Sequence, residues 1–133
     1  MPTILMVEDH APLAQILTRF LREKGNMEVV AVARTGKEAL AQLPELAVDI
    51  VLVDVSLPAM SGIDLVGILS EEYPDLPCMM LSGHRRHTYV KRALDAGARG
   101  YVTKDNVSAI LEGVRSVLKG EIYLSDDVRE LQD

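Results

Sequence analysis

Short apolar runs and amphipathic stretches alternate along this chain. The runs cover residues 3–7, 27–33, 49–55, 77–81 and 99–103. Each has the length of a strand and is rich in Val, Ile, Leu or Met, except the last, which is short and mixed. The first, third and fourth are almost continuously apolar, the pattern of strands covered on both faces.

Helical spacing fills the intervals. Leu13, Ile16, Leu17, Phe20 and Leu21 recur at the separations of one helix face, and Gly25 is the expected stop. Thr35-Gly36-Lys37-Glu38 is a capping-box pattern ahead of Ala39, Leu40 and Leu43. A third helix is expected over 62–73, ended by Pro74, and a fourth over 88–96, ended by Gly97. Val107, Ile110, Leu111, Val114 and Leu118 line a fifth, ended by Gly120. Strand and helix thus alternate through five βα units, which implies an α/β fold with a parallel sheet and helices on both faces. Crossovers must be right-handed. The expected strand order is 2-1-3-4-5, that of flavodoxin-like sheets. Ser125-Asp126-Asp127 offers a weaker cap for a further short helix through Val128 and Leu131. The expected division is a folded domain over 1–120 and a tail, or start of a linker, over 121–133.

A length of 133 residues suits one such domain with a core of its own. No apolar run is long enough to span a bilayer, and the N-terminus lacks the basic region of a signal peptide. The expected location is therefore the cytoplasm, with no membrane partner. The lone Cys78 lies in an apolar run and reads as a small buried hydrophobe. A net charge of -6 argues against nucleic acid as a direct ligand of this segment. The one basic cluster, His84-Arg85-Arg86-His87 with Lys91 and Arg92, reads as a solvated loop and helix face.

The order 2-1-3-4-5 places a crevice between the carboxyl ends of strands one and three. Strand one ends in Glu8-Asp9 and strand three in Asp54. Three carboxylates so close repel one another. A hard cation relieves this, and a few oxygen ligands suit Mg²⁺ with retained waters. Strand four ends in Ser82-Gly83 and strand five in Thr103-Lys104, adding a hydroxyl and an ammonium. Carboxylates, a metal, a hydroxyl and a lysine together suit a phosphoryl group, attacked in line by a carboxylate.

At these residues the chain resembles a known family. Val7-Glu8-Asp9-His10, Val53 to Gly62, Leu81-Ser82-Gly83 and Gly97 to Lys104 match, in order, the receiver domain of two-component response regulators. The resemblance implies that Asp54 accepts a phosphoryl group from a sensor histidine kinase. It implies Mg²⁺ bound by Asp9 and Asp54, by Glu8 mostly through water, and by the Ser56 backbone carbonyl. Ser82 and Lys104 would hold phosphoryl oxygens, and Tyr101 would turn inward as Ser82 moves to the phosphate. Each residue also has a plainer reading: Asp54 or Ser82 as a turn residue, Lys104 as solvated, Tyr101 as strand packing. Pro58, Met60 and Gly62 read as loop architecture. His84, two residues past Ser82, is either solvated or near an attacking water.

Two positions depart from the commonest receiver pattern. Ser82 replaces the more frequent threonine. Asp105 follows Lys104 where many receivers carry a proline after a cis bond. A cis bond before a non-proline residue costs about 3 kcal/mol, so that geometry does not carry over by itself.

The segment 96–105, and Lys119 to Ser125 after it, resemble receivers of the NarL/LuxR type (FixJ-like), which precede a helix-turn-helix domain. The implied function is a phosphorylation-dependent switch controlling transcription. It would reach DNA only through an output domain absent from this chain, with self-association on phosphorylation. The alternative is a stand-alone receiver working through protein contacts. A rival from another class is a metal-dependent phosphatase with an aspartyl nucleophile. Those enzymes of the haloacid-dehalogenase type carry a D-x-D motif after their first strand, whereas Asp54-Val55-Ser56 follows the third.

Overall fold

A parallel sheet of six strands forms the centre of the computed structural model, which describes residues 1–84 and 86–130. In chain order the elements are β1 (Thr3–Val7), α1 (Ala11–Gly25), β2 (Glu28–Ala33), α2 (Gly36–Gln42), β3 (Ile50–Asp54) and α3 (Gly62–Glu72). They continue with β4 (Cys78–Ser82), α4 (His87–Ala96), β5 (Gly100–Thr103), α5 (Val107–Leu118), β6 (Tyr123–Leu124) and α6 (Asp126–Glu130). A single 3-10 turn, Leu43–Glu45, follows α2. The strand order is β2-β1-β3-β4-β5-β6, so the expected flavodoxin-like order holds and gains one short strand at its far edge.

The apolar runs explain the layering. β3 and β4 are buried along their whole length, and so is β1 after Thr3. Ile4, Met6, Leu52, Met79 and Val102 face α1 and α5 in one core layer. Leu5, Val7, Val53, Met80 and Tyr101 face the other layer, with residues of α2, α3 and α4. β2 is the edge strand and only alternately covered, leaving Val30 and Val32 partly exposed. Cys78 is buried, and burial pushes its thiol up to about 12, as suits an inert apolar filler.

Most helix signals hold. Thr35 caps α2 by accepting from the Glu38 N–H at 3.1 Å. Gly97 ends α4 at φ 117°, and Gly120 follows α5 at φ 89°. Two details of α1 differ from expectation. Ile16 is 60% exposed, and Ala14 takes the core position beside Leu17 and Leu21. The left-handed residue that ends α1 is Asn26, at φ 53°, not Gly25. Asn tolerates that region. Gly25 is instead the last helical residue, and a Cβ there would collide with Leu111 of α5.

Residues 121–130, expected as a tail, continue the fold. β6 pairs in parallel with β5, Tyr101 opposite Leu124. Val128 of α6 is completely buried. The weak cap at Ser125-Asp126-Asp127 does start a helix, while Leu131, its expected last apolar anchor, lies outside the described residues. No described helix is long and apolar enough to cross a membrane.

Candidate functional site

Four strand ends build the site. Val7 pairs with Val53, so Glu8 and Asp9 leave β1 beside Asp54 at the end of β3. Asp54 pairs with Leu81, one residue before Ser82. Ser82 pairs with Thr103, one residue before Lys104. Parallel register therefore delivers the polar residues to one rim, each just past its own apolar run.

The expected acidic cluster forms. One carboxylate oxygen from each of Glu8, Asp9 and Asp54 lies within 4.8 Å of the others. Glu8 and Asp54 are buried, and Asp9 is exposed. Lys104 reaches into this cluster. Its Nζ donates to Asp54 Oδ2 at 2.7 Å and lies 3.0 Å from Glu8 Oε1. Burial acts against the ammonium, but the carboxylates of Asp54 and Glu8 outweigh it and hold its pKa above the usual lysine value. Burial, with Asp54 adding repulsion, raises the pKa of Glu8 despite the N–H of His10 and the Lys104 ammonium. The His10 N–H donates to Glu8 Oε2 at 3.1 Å.

The rest of the site orients these groups. The Ser56 N–H donates to Asp54 Oδ1 at 3.0 Å, which holds the carboxylate plane. The loop over 55–61 turns through Ala59, a non-glycine residue at φ 67°. It closes with Gly62 N–H donating to the Val55 carbonyl at 2.8 Å. A Cβ on Gly62 would collide with the Asp54 carbonyl oxygen, so its place in the loop is a close backbone approach. Lys104 N–H donates to the Ser82 carbonyl at 2.9 Å, tying β5 to β4 at the rim. Among the described residues no peptide bond is cis, so the Lys104–Asp105 bond is trans.

Ser82 and Tyr101 are joined directly. The Tyr101 ring is fully buried. Its hydroxyl lies 2.9 Å from Ser82 Oγ and 2.6 Å from the His84 carbonyl oxygen. The His84 N–H donates to Ser82 Oγ at 2.8 Å. Burial raises the Tyr101 pKa, which keeps the phenol protonated. The His84 ring stacks on Tyr89, centroids 4.6 Å apart, and its Nε2 lies 3.4 Å from Ser56 Oγ. Of the basic cluster, His84, Arg86, Lys91 and Arg92 are exposed, and Arg85 lies outside the described residues.

One contact beside the site has no local signal in the sequence. Thr103 Oγ1 donates to Asp127 Oδ2 at 2.6 Å, linking the residue before Lys104 to α6. Asp127 could be suspected as a helix cap, but nothing local in sequence points from it to β5.

An oxygen-only set of two buried carboxylates and one exposed carboxylate fits a hard divalent cation. Glu8 Oε1 supports the fit: it is buried and has the ammonium as an ionic neighbour, but no hydrogen bond.

The chain is similar to known proteins. Residues 4–115 match the response regulator receiver domain family. The transcriptional activator protein ExaE of Pseudomonas putida is 38% identical over 91% of this chain and 57% of its own length. The transcriptional regulatory protein UhpA of Escherichia coli is 33% identical over 96% of this chain and 64% of its own. The chain thus spans about three fifths of the curated relatives it matches. A two-component response regulator of the LuxR family from Aurantimonas superposes with a TM-score of 0.94 at 26% identity, covering 99% of this chain and 95% of that one. With the acidic rim, the lysine and the strand order all in place, this chain belongs to the response regulator receiver family, among relatives of the NarL/LuxR type.

Proposed function

We propose that this chain is a phosphorylation-controlled signalling switch whose phosphoacceptor is Asp54, loaded by a sensor histidine kinase. The observation that carries the reading is the contact of Lys104 Nζ with Asp54 Oδ2 at 2.7 Å, inside the cluster with Glu8 and Asp9. A carboxylate oxygen of Asp54 attacks phosphorus, forming an acyl phosphate as the bond to the donor breaks. The Ser56 N–H and the Lys104 ammonium hold that carboxylate in place. Lys104 then follows the charge onto a phosphoryl oxygen, and the Ser82 hydroxyl binds another. Asp9, Asp54 and the Ser56 carbonyl, with Glu8 mostly through water, would hold Mg²⁺, which would neutralise phosphoryl oxygens when bound. Ser82 must exchange its partners at Tyr101 and His84 for the phosphoryl group, which makes Tyr101 and Ser82 the switch pair.

The output we infer is transcriptional. Relatives named as transcriptional regulators extend well beyond the stretch that matches this chain, and a helix-turn-helix domain is the expected extension. DNA is then contacted by that domain, with receiver self-association as the link, and the cytoplasm is the place of action. The primary test is intact mass after treatment with acetyl phosphate and Mg²⁺. One phosphoryl group should be gained by the wild type and none by Asp54→Asn, since an amide is no nucleophile. Unchanged phosphorylation of the variant would remove Asp54 from this role.

A further inference from the structure

The segment after α5 is attached to β5 in three independent ways. Its backbone continues the sheet: Tyr123 N–H donates to the Arg99 carbonyl at 2.9 Å, and Ser125 N–H to the Tyr101 carbonyl at 3.2 Å. Its side chains make a polar clamp. Asp127 accepts from Thr103 Oγ1 at 2.6 Å on one oxygen and from Ser125 Oγ at 2.7 Å on the other. Thr103 and Ser125 are both buried, so breaking the clamp strands their hydroxyls. Its apolar residues reach both core layers, Leu124 and Val128 into one and Tyr123 into the other. Gly113 of α5 makes room for Tyr123, since a Cβ there would crowd the ring at 3.0 Å.

The points of attachment are the residues the switch involves. Ser125 holds the backbone of Tyr101, and Asp127 holds Thr103, next to Lys104. Leu124 and Val128 belong to the same apolar cluster as the Tyr101 ring, so undocking would uncover that cluster. In this structure the docked segment and the inward Tyr101 occur together.

We propose that residues 123–130 act as a strap whose docking on β5 through the Thr103–Asp127 clamp is coupled to the inward position of Tyr101. The strap therefore carries the position of Tyr101 to the edge of the sheet. Coupling of this kind is reciprocal: what holds Tyr101 inward holds the strap, and the strap holds Tyr101. The coupling of strap and Tyr101 does not depend on Asp54 being the phosphoacceptor.

The test uses the full chain labelled with 3-fluorotyrosine, which reports on only four tyrosines. Tyr101→Phe assigns the resonance, and its solvent isotope shift reads exposure. Without phosphodonor, Asp127→Ala and Thr103→Val should each lower amide protection at Tyr123 and Ser125 by about fivefold or more. Each should also give Tyr101 a solvent-exposed population. Loss of strap protection with Tyr101 still buried, or no loss in either variant, overturns the coupling.

Discussion

At the scale of single residues, the site is a balance of charge held in a small space. Lys104 is the cation that allows Glu8 and Asp54 to be buried together. Lys104→Met should cost the cation-free protein about 3 kcal/mol, the usual penalty for removing one partner of a buried ion pair. Excess Mg²⁺ should recover much of that loss, so the variant's thermal midpoint should respond more strongly to Mg²⁺ than the wild type's. Equal responses in parallel melts would contradict a shared acidic site. Gly62 is the other single-residue constraint. In Gly62→Ala the new methyl meets the Asp54 carbonyl, which is backbone and cannot step aside. Its urea midpoint should fall by the equivalent of about 2 kcal/mol or more.

At the scale of elements, α3 and α6 show how helix ends serve the site. α3 starts directly after the loop over 55–61, and Ser61 caps it by accepting from the Asp64 N–H at 3.1 Å. Ser61→Ala should cost about 1 kcal/mol in denaturant unfolding. α6 depends on pH through Asp127. Burial works against its carboxylate, but hydrogen bonds from Thr103, Ser125 and the Val128 N–H outweigh that and hold its pKa below the usual aspartate value. A depressed pKa means that the carboxylate stabilises the fold above its unfolded value, near 3.8, and stops doing so as pH falls through the folded value. The stability gap between wild type and Asp127→Ala should thus be full at neutral pH and shrink below about pH 4. A gap that persisted undiminished into strong acid would mean that Asp127 acts by packing alone.

At the scale of the whole molecule, the chain is acidic, and its one basic cluster in sequence runs over 84–92. A net charge of -6, made more negative by phosphorylation, opposes approach to duplex DNA. Arg86, Lys91 and Arg92 are exposed, but α4 pairs part of its charge internally, Lys91 with Asp95 at 2.9 Å. Gel-shift titration of this chain, with and without phosphodonor, should show no sequence-selective complex. Salt-sensitive, selective binding by the chain alone would overturn the assignment of DNA contact to another domain.

What could be read from sequence followed from periodicity and from chemistry at strand ends. Continuous apolar runs specify strands buried on both faces, and alternation with amphipathic helices leaves few topologies. The crevice between β1 and β3, and with it the meeting of Glu8, Asp9, Asp54 and Lys104, follows from strand order. Contacts that join distant segments without a local pattern belong to the tertiary structure. Ile16 fits its helix periodicity but faces solvent, because the orientation of α1 puts Ala14 against the sheet instead. Gly25 reads as a helix stop but serves close packing against Leu111, with Asn26 making the turn. The trans bond before Asp105, the inward Tyr101 and the return of residues 123–130 to β5 were likewise decided there. β6 has only two residues, too few for any periodic signal, and it exists because the edge of β5 and the apolar cluster around Tyr101 are there to receive it.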